Sequence, residues 1–169
     1  MSTSRYNETN AKAELWFTLL ICGDNYPIIS DLEFSGLIAA LTNLNINQVI
    51  QKIKSILNQD HNFFQYILKI IPIDFVCETN INDIKNIIEK NYRKFIKKEE
   101  SFMIQLKRRK NELIDRDSFI NLVARNIDNH VDLKNPDKII RVELLGNSCG
   151  IAFLKHTDIL SFKNKNYLA

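Results

Sequence analysis

Between residues 80 and 154 the sequence alternates between helical and strand periodicity, which restricts the chain to folds in which helices cover a sheet. Helical segments repeat apolar residues every three or four positions, whereas strand segments alternate apolar and polar residues or form short apolar runs. The predicted elements are a helix over residues 80–96, a strand over 101–108, a helix over 116–127, and strands over 139–145 and 149–154. Asn80 or Asn82 suits the first helix as an N-cap, and Asp115 or Asp117 suits the second.

The first half of the chain is less regular. Its predicted elements are a mobile polar tail over residues 1–12, a buried strand over 15–22, a helix over 32–41 that Ser30-Asp31 caps, and a helix over 46–57. An extended run covers residues 63–77, and Pro72 within it removes a ladder donor, so the strand bends or lies at an edge there. The mixture of helices and strands predicts an α/β (α+β) fold.

The predicted organisation places a boundary between two subdomains near residues 58–62. In full, it is a flexible tail over residues 1–12, an N-terminal subdomain over 13–57, a second domain over 58–157 and a C-terminal tail over 158–169.

The cysteines and the hydropathy of the chain indicate its compartment. Cys22, Cys77 and Cys149 are odd in number, far apart and set among apolar residues, which predicts buried, reduced thiols. The apolar run over 15–22 is too short to span a membrane, and the first ten residues do not resemble a secretion signal. We therefore expect a soluble cytoplasmic protein that does not bind a membrane.

The residues that catalysis usually requires do not occur in recognisable patterns. Only four glycines are present, so neither a glycine-rich dinucleotide loop nor a GxxxxGK[ST] phosphate loop is possible within these 169 residues. His61, His130 and His156 are isolated, with no spacing that would bring ligands together on a metal. The sequence therefore predicts no catalytic residues, no metal site and no cofactor, and a protein that is not an enzyme.

The positive charge is concentrated in one region. Residues 85–116 hold eleven Lys and Arg against five Asp and Glu, a net charge of +6, whereas the whole chain carries only +3. A regional basic excess of this kind is typical of nucleic-acid binding.

Four consecutive cations, Lys107-Arg108-Arg109-Lys110, end the strand predicted over residues 101–108. One interpretation is that they are solvated charges which protect an edge strand from pairing with another chain. The other is that they bind a phosphate backbone, and neighbouring cations favour it. These neighbours are Arg93, Lys94, Lys97 and Lys98 at the end of the preceding helix, Arg116 at the start of the next helix, and Lys134 and Lys138 in the following turn.

The positions of these cations relative to the two helix ends are informative. The helix macrodipole accounts for some of the cations near the end of the first helix, but not for all four. Arg116 lies where an unpaired cation is least favoured by the dipole, beside helix N–H groups that suit a phosphate. From charge placement we therefore predict that Arg93, Lys97 and Arg116 contact nucleic acid.

The charged turn over residues 134–138 precedes the last two strands. Pro136 suits the second position of a β-turn that starts at Asn135, so that Lys134 and Asn135 are presented by a stiff loop. We predict that this loop holds both residues beside the four consecutive cations.

Several blocks of the sequence resemble the THUMP family of domains. The most specific is VDLKNPD over residues 131–137, and the resemblance covers about residues 56–157. The other blocks, in order, are residues 66–73, Glu78-Thr79, the strand over 101–109, and the segments 142–143 and 149–151.

This resemblance implies a THUMP α/β domain that binds RNA, preceded by a small ferredoxin-like subdomain, with tRNA as the ligand. It implies RNA contacts at Lys107, Arg108, Arg109, Lys134 and Asn135, and Lys110 belongs to the same run of cations. The sequence resembles most the stand-alone adaptors that present tRNA to an RNA cytidine acetyltransferase for N4-acetylcytidine formation. Two alternatives remain open: an RNA-binding subunit of a split tRNA thiolation or methylation enzyme, and a module that binds only proteins.

Overall fold

The computed structural model describes residues 1–110 and 114–162. They divide into two compact units: unit 1 comprises Met1–Ile71 together with the chain from Ile159 onward, and unit 2 comprises Pro72–Asp158. The division therefore follows residue 71, whereas the sequence placed it near residues 58–62. Pro72 stands at this division, at the point where proline was expected to interrupt the extended run.

The described part of unit 1 contains two helices and five short strands. In chain order these are β1 (Ser2–Thr3), α1 (Glu8–Cys22), β2 (Ile28–Asp31), β3 (Ile38–Leu41), α2 (Ile46–Gln59), β4 (Ile67–Ile70) and, after unit 2, β9 (Leu160–Ser161). The order β1-α1-β2-β3-α2-β4 is that of a ferredoxin-like unit. β4 pairs with β1 and β9, and an antiparallel bridge between Ser2 and Leu37 connects β1 to the chain just before β3.

The apolar run over residues 15–22 is helical, and the predicted strand is wrong. α1 begins upstream at Glu8, and its buried residues Ala11, Leu15 and Leu19 recur every four positions. Because a short apolar run fits a buried helix as well as a strand, the run alone did not contain enough sequence to distinguish them. The helix ends at Gly23, whose φ of +104° is the left-handed conformation of a helix C-cap.

The predicted helix over residues 32–41 is also wrong, because this segment belongs to a β-hairpin. β2 and β3 pair antiparallel, with Ile28 opposite Leu41 and Asp31 opposite Ile38. The carboxylate of Asp31 does not cap a helix but accepts a hydrogen bond from Lys12 Nζ at 2.5 Å. Gly36, with φ of +78°, lies in the loop between the two strands.

Residues 1–12 are not a mobile tail, because they hold β1 and the first turn of α1. The Thr3 hydroxyl donates a hydrogen bond to the Tyr66 carbonyl at 2.7 Å and so attaches β1 to the chain before β4. At the other end, the segment predicted as a tail over 158–169 includes β9, and its residues 163–169 lie outside the described residues.

The helix predicted over residues 46–57 is confirmed as α2. Asn45 caps it by accepting hydrogen bonds from the N–H groups of Asn47 (3.0 Å) and Gln48 (3.3 Å). The core of unit 1 lies between the two helices and the strands, and its buried residues are Ala11, Leu15, Leu19, Ile38, Val49, Ile50, Ile53, Phe64, Ile67, Ile70 and Leu160.

Unit 2 has one four-stranded sheet with two helices on one face. Its elements are β5 (Phe75–Glu78), α3 (Ile81–Phe95), β6 (Phe102–Arg109), α4 (Arg116–Ala124), β7 (Lys138–Leu145), β8 (Ser148–Leu154) and a short 3₁₀ helix (His156–Asp158). The strand order is β5-β8-β7-β6, with β6 parallel to β7 and the other neighbours antiparallel. The alternation predicted between residues 80 and 154 is confirmed, and so is the α+β class.

The helix caps of unit 2 follow the sequence. Asn80 accepts hydrogen bonds from Asn82 N (2.8 Å) and Asp83 N (3.3 Å) at the start of α3. Alternate residues of β6, β7 and β8 face the helices and build the core with Ile84, Ile88, Tyr92, Phe119 and Val123; those strand residues are Phe102, Ile104, Leu106, Ile140, Val142, Leu144, Cys149, Ile151 and Phe153. None of the described helices is long and apolar enough to cross a membrane.

Candidate nucleic-acid interface

β6 is an edge strand of the unit 2 sheet, and four consecutive exposed cations, Lys107 to Lys110, lie at its carboxyl end. Lys107 and Arg109 lie on the sheet face opposite Ile104, because strand side chains alternate and Ile104 is buried towards the helices. Lys110 follows with φ of +49°, where the extended strand ends. We call Lys107, Arg109 and Lys110 the strand-end cluster.

Arg108 points to the other face of the sheet and has a structural contact. Its Nη1 donates a hydrogen bond to the carbonyl oxygen of Ile114 at 2.8 Å. Ile114 is buried, and it immediately precedes the N-cap of α4. Arg108 therefore fixes the chain that enters α4, a role that the sequence did not indicate, and its predicted RNA contact stays a prediction.

Arg116 is the exposed first residue of α4. The carboxylate of Asp115, the N-cap residue, accepts a hydrogen bond from the N–H of Ser118 at 2.9 Å. This hydrogen bond to the Ser118 N–H is the main cause that lowers the pKa of Asp115. Asp115 thus occupies one of the helix N–H groups that were expected to suit a phosphate, and the predicted contact at Arg116 stays a prediction.

Beside the strand-end cluster lies a buried polar network that sequence reasoning missed. Arg141, on the middle of β7, is only 8% exposed. It donates hydrogen bonds to Glu143 Oε1 at 2.7 Å and to Gln105 Oε1 at 2.8 Å, and its Nη2 lies 2.6 Å from the same Glu143 oxygen. Lys107 is the register partner of Glu143 in the β6–β7 ladder. The Glu143 carboxylate is therefore the one nearest to Lys107 in register, and it is already bound to Arg141. The alternation of polar residues 141 and 143 with apolar ones in a buried strand was the available signal.

The side chain of Asp132 holds the turn before β7. Asp132 Oδ1 accepts hydrogen bonds from the N–H groups of Lys134 (2.8 Å) and Asn135 (3.0 Å), and these bonds lower the pKa of Asp132. Lys138 N donates to the carbonyl of Ser101 at 3.1 Å, so no backbone bond from Lys138 to Asn135 closes the predicted β-turn. The hydrogen bonds of Asp132 thus hold the backbone of Lys134 and Asn135 in place.

The prediction that Lys134 and Asn135 lie beside the four consecutive cations is wrong. The register pairs Phe102 with Lys138 and Arg109 with Leu145, so the turn before Lys138 meets the amino end of β6. The cations of β6 follow at its carboxyl end, five to seven residues beyond Phe102, which at about 3.3 Å per residue is about 17–23 Å. The end of the parallel pair that the turn approaches depends on the β6–β7 register, which local sequence does not encode.

The cations near the end of α3 differ in their surroundings. Arg93 forms an ion pair with Asp128 at 2.8 Å, and its Nε donates to the Tyr92 hydroxyl at 3.0 Å. Both contacts raise the pKa of Arg93, and its guanidinium is already bound to Asp128 and Tyr92. Lys97 is exposed, and its backbone N–H donates to Glu100 Oε2 at 2.8 Å. Lys97 lies close to the amino end of β6, on the side of the charged turn.

All three cysteines are free thiols, as the sequence predicts. Cys149 is buried, whereas Cys22 and Cys77 are only partly so. Cys77 and Cys149 are register partners in the β5–β8 ladder, and burial raises the pKa of both thiols. Within residues 1–110 and 114–162, no group of three or more His, Cys, Asp and Glu residues has the arrangement of a metal site.

Comparison with known proteins agrees with this geometry. Residues 78–154, all of which lie within unit 2, match the family model of the THUMP domain. A Drosophila melanogaster protein, THUMP domain-containing protein 1 homolog, is 35% identical over 91 residues, which cover 50% of this chain and 28% of that protein.

Two solved structures share the fold over most of the chain. The crystal structure of PH1313 from Pyrococcus horikoshii has a TM-score of 0.68 at 19% identity, covering 92% of this chain and 48% of that one. A 4-thiouridine synthetase, crystallised in complex with RNA and with bound ATP, has a TM-score of 0.54 at 15% identity, covering 94% of this chain and 40% of that one. The chain thus spans less than half the length of each of these proteins.

Proposed function

We propose that this chain is a non-catalytic, cytoplasmic tRNA-binding adaptor that presents tRNA to an RNA cytidine acetyltransferase for N4-acetylcytidine formation. The observation that carries the RNA-binding part is the strand-end cluster, exposed at the carboxyl end of an edge strand inside a THUMP domain. The THUMP domain is associated with RNA binding in tRNA-modification enzymes. The similar 4-thiouridine synthetase was itself crystallised with RNA.

The geometry of the cluster suits a phosphate backbone. Lys107 and Arg109 project from the same face, two residues apart, so their charged groups are spaced along the strand rather than opposed. The carboxylate closest to them in register, Glu143, is already paired with Arg141. A cation whose register-partner carboxylate is engaged elsewhere can form charge-assisted bonds to phosphate oxygens, and such bonds position RNA without reading its sequence.

The adaptor role rests on the sequence. The resemblance to stand-alone adaptors supports the acetyltransferase as the partner, and the scarcity of glycine and the isolated histidines support a chain without catalytic residues of its own. We infer a division of labour in which this chain holds the tRNA and a separate chain transfers the acetyl group.

The RNA-binding part is tested by charge reversal. We expect Lys107→Glu combined with Arg109→Glu to abolish tRNA binding in a gel-shift titration while the circular dichroism spectrum is unchanged, because both side chains are exposed. The matched control is Lys52→Glu combined with Lys90→Glu, which makes the same charge change at two other exposed lysines. Equal affinity of the two double variants would show that net charge, and not the cluster, determines binding.

The acetylation part is tested in cells of the source organism. Deletion of the gene should remove N4-acetylcytidine from bulk tRNA, measured by mass spectrometry of nucleosides. Undiminished N4-acetylcytidine with loss of a thiolated or methylated nucleoside would instead assign the chain to a split thiolation or methylation enzyme. If neither changes and no RNA copurifies with the native chain, a protein-only interaction module is the correct function.

A further inference from the structure

Three exposed lysines of unit 2 share an arrangement in which a neighbouring carboxylate accepts a hydrogen bond from the backbone N–H of the lysine. The backbone N–H of Lys97 donates to Glu100, that of Lys134 to Asp132, and that of Lys155 to Asp158, each at 2.8 Å. In each case a carboxylate two or three residues away binds the peptide group of the lysine. None of the ion pairs among residues 1–110 and 114–162 involves these three ammonium groups.

The three lysines belong to one end of the unit 2 sheet, although they are far apart in sequence. Lys97 lies in the turn before β6, Lys134 in the turn before β7, and Lys155 directly after β8. Since Ile139 pairs with Leu154, the start of β7 and the end of β8 are adjacent.

Hydrogen bonds join these turns to one another. Asn129 Nδ2 donates to the carbonyls of Lys97 (2.7 Å) and Glu100 (2.9 Å), and Asp137 accepts from Ser101 N at 2.8 Å. Lys155 directly follows Leu154, the register partner of Ile139, and so lies beside the same turn; its charge also contributes to the lowered pKa of Asp137. The backbone positions of the three lysines are therefore fixed together, and we call Lys97, Lys134 and Lys155 the turn-side cluster.

We propose that the turn-side cluster is a second phosphate-contact site, so that one folded RNA contacts unit 2 with two separate backbone segments, one at each end of the sheet. The inference rests on the proposed function, because it takes RNA as the ligand. The first segment meets the strand-end cluster at the carboxyl end of β6, and the second meets the turn-side cluster about 17–23 Å away along the strand.

The two ends differ in electrostatic character. At the strand end, cations follow one another along β6, whereas each lysine of the turn-side cluster has a carboxylate bound to its own peptide group. Those carboxylates reduce the local net charge, so the turn-side cluster contributes less long-range attraction than the strand-end cluster. Its role is to fix orientation: contact at one end leaves the RNA free to rotate, and contact at both ends does not.

The experiment uses the full 169-residue chain and fluorescently labelled tRNA transcript, with fluorescence anisotropy measured over a series of salt concentrations. The test variant changes all three lysines of the turn-side cluster to Gln, and the matched control changes three other exposed cations to Gln: Lys52, Lys90 and Arg125. We expect the test variant to bind about tenfold more weakly at 0.1 M salt, with a slope of log K against log salt that is smaller by about 2. The control should bind within about twofold of the wild type.

The outcomes separate this inference from the proposed function. If the wild type binds tRNA and the test variant matches the control in affinity and salt slope, the second site is refuted while the tRNA-binding role stands. If the wild type itself does not bind tRNA, both fail. Circular dichroism spectra ensure that all three proteins are folded.

A second measurement tests the separation directly. A photo-crosslinking amino acid is placed at residue 134 in one variant and at residue 107 in another, and the crosslinked nucleotides of the tRNA are mapped. We expect two different backbone segments. Crosslinks from both positions to the same few nucleotides would overturn the two-segment arrangement.

Discussion

The carboxylate of Asp137 accepts hydrogen bonds from both the N–H and the hydroxyl of Ser101, each at 2.8 Å, and thereby joins the charged turn to the amino end of β6. Ser101 reciprocates, because its hydroxyl oxygen accepts a hydrogen bond from the N–H of Asp137 at 3.1 Å. Together with Asp132, which binds the N–H groups inside the turn, this pair fixes the backbone that carries Lys134. The two aspartates of the VDLKNPD block are therefore positioning residues for the lysine between them.

The first prediction concerns this attachment. Asp137→Ala removes the acceptor for both Ser101 groups, so the turn should open more often, and hydrogen exchange at the Ser101 N–H should become about tenfold faster. Hydrogen–deuterium exchange measured by NMR checks this. Asp117→Ala, at an exposed carboxylate in the first turn of α4, is the control and should leave the Ser101 rate unchanged. An equal rate in wild type and Asp137→Ala would mean that the backbone alone holds the turn.

The second prediction concerns acid stability. Hydrogen bonds from backbone N–H groups lower the pKa of Asp132 and Asp137 below the ordinary value of 3.8. A carboxyl group whose pKa is lower in the folded state stabilises the fold fully above the unfolded-state pKa, and this contribution is lost as pH falls through the folded-state pKa. We therefore expect the urea midpoint of unfolding to fall as pH decreases below about 4.

Asp132→Asn separates this effect from general acid unfolding. Asn keeps an oxygen that can accept the two hydrogen bonds but does not titrate, so the fall in the urea midpoint below pH 4 should be smaller in the variant than in the wild type. If the two proteins show the same pH dependence in parallel denaturation series, Asp132 does not contribute to it.

The third prediction compares two cations that the sequence analysis treated alike. Arg93 is already bound to Asp128 and Tyr92, whereas the carboxylate nearest to Lys107 in register is paired with Arg141. Arg93→Ala should therefore weaken tRNA binding less than Lys107→Ala, because only the second removes a cation that is available to a phosphate. Anisotropy titrations of both variants at one salt concentration measure the difference. A larger loss for Arg93→Ala would reverse the assignment.

Most of unit 2 could be predicted from the sequence because its signals are local and agree with one another. Asn80 and Asp115 each stand at a helix start and cap it in the structure, and the apolar periodicity between them gives the helices and strands in the correct order. The spatial grouping of the candidate RNA-binding residues was harder to predict. Which end of β6 the charged turn approaches depends on the parallel pairing of β6 with β7, a long-range relationship that no local pattern encodes.

Unit 1 was predicted less well because its local signals are ambiguous. α1 is apolar on its outer face too: Trp16 is 49% exposed and Phe17 is 54% exposed, so the run imitates a strand that is buried on both faces. The helix is identified only by its start at Glu8, in a segment that looked like a tail. In the hairpin that follows, Gly36 was the informative residue, because a glycine inside a proposed helix disfavours that helix.

The last prediction concerns that glycine. Gly36 has φ of +78°, and a Cβ placed on it would lie 2.9 Å from the carbonyl oxygen of Thr3 in β1. Its carbonyl accepts the Thr3 N–H at 3.0 Å, and its own N–H donates to Glu8 Oε1 at 2.6 Å, so the backbone has little freedom to move away. Gly36→Ala should therefore lower the free energy of unfolding of unit 1 by about 3 kcal/mol, from the unfavourable φ and the steric overlap together.

Gly23→Ala is the matched control for this change. Gly23 also has a positive φ, +104°, but a Cβ there has no other atom within 4 Å, so the substitution adds the backbone strain without the overlap. We expect it to cost about 1 kcal/mol, and urea denaturation of the full chain measures both variants. Equal costs for the two substitutions would show that β1 moves to accept the methyl group, and that the approach of Thr3 to Gly36 does not constrain the fold of unit 1.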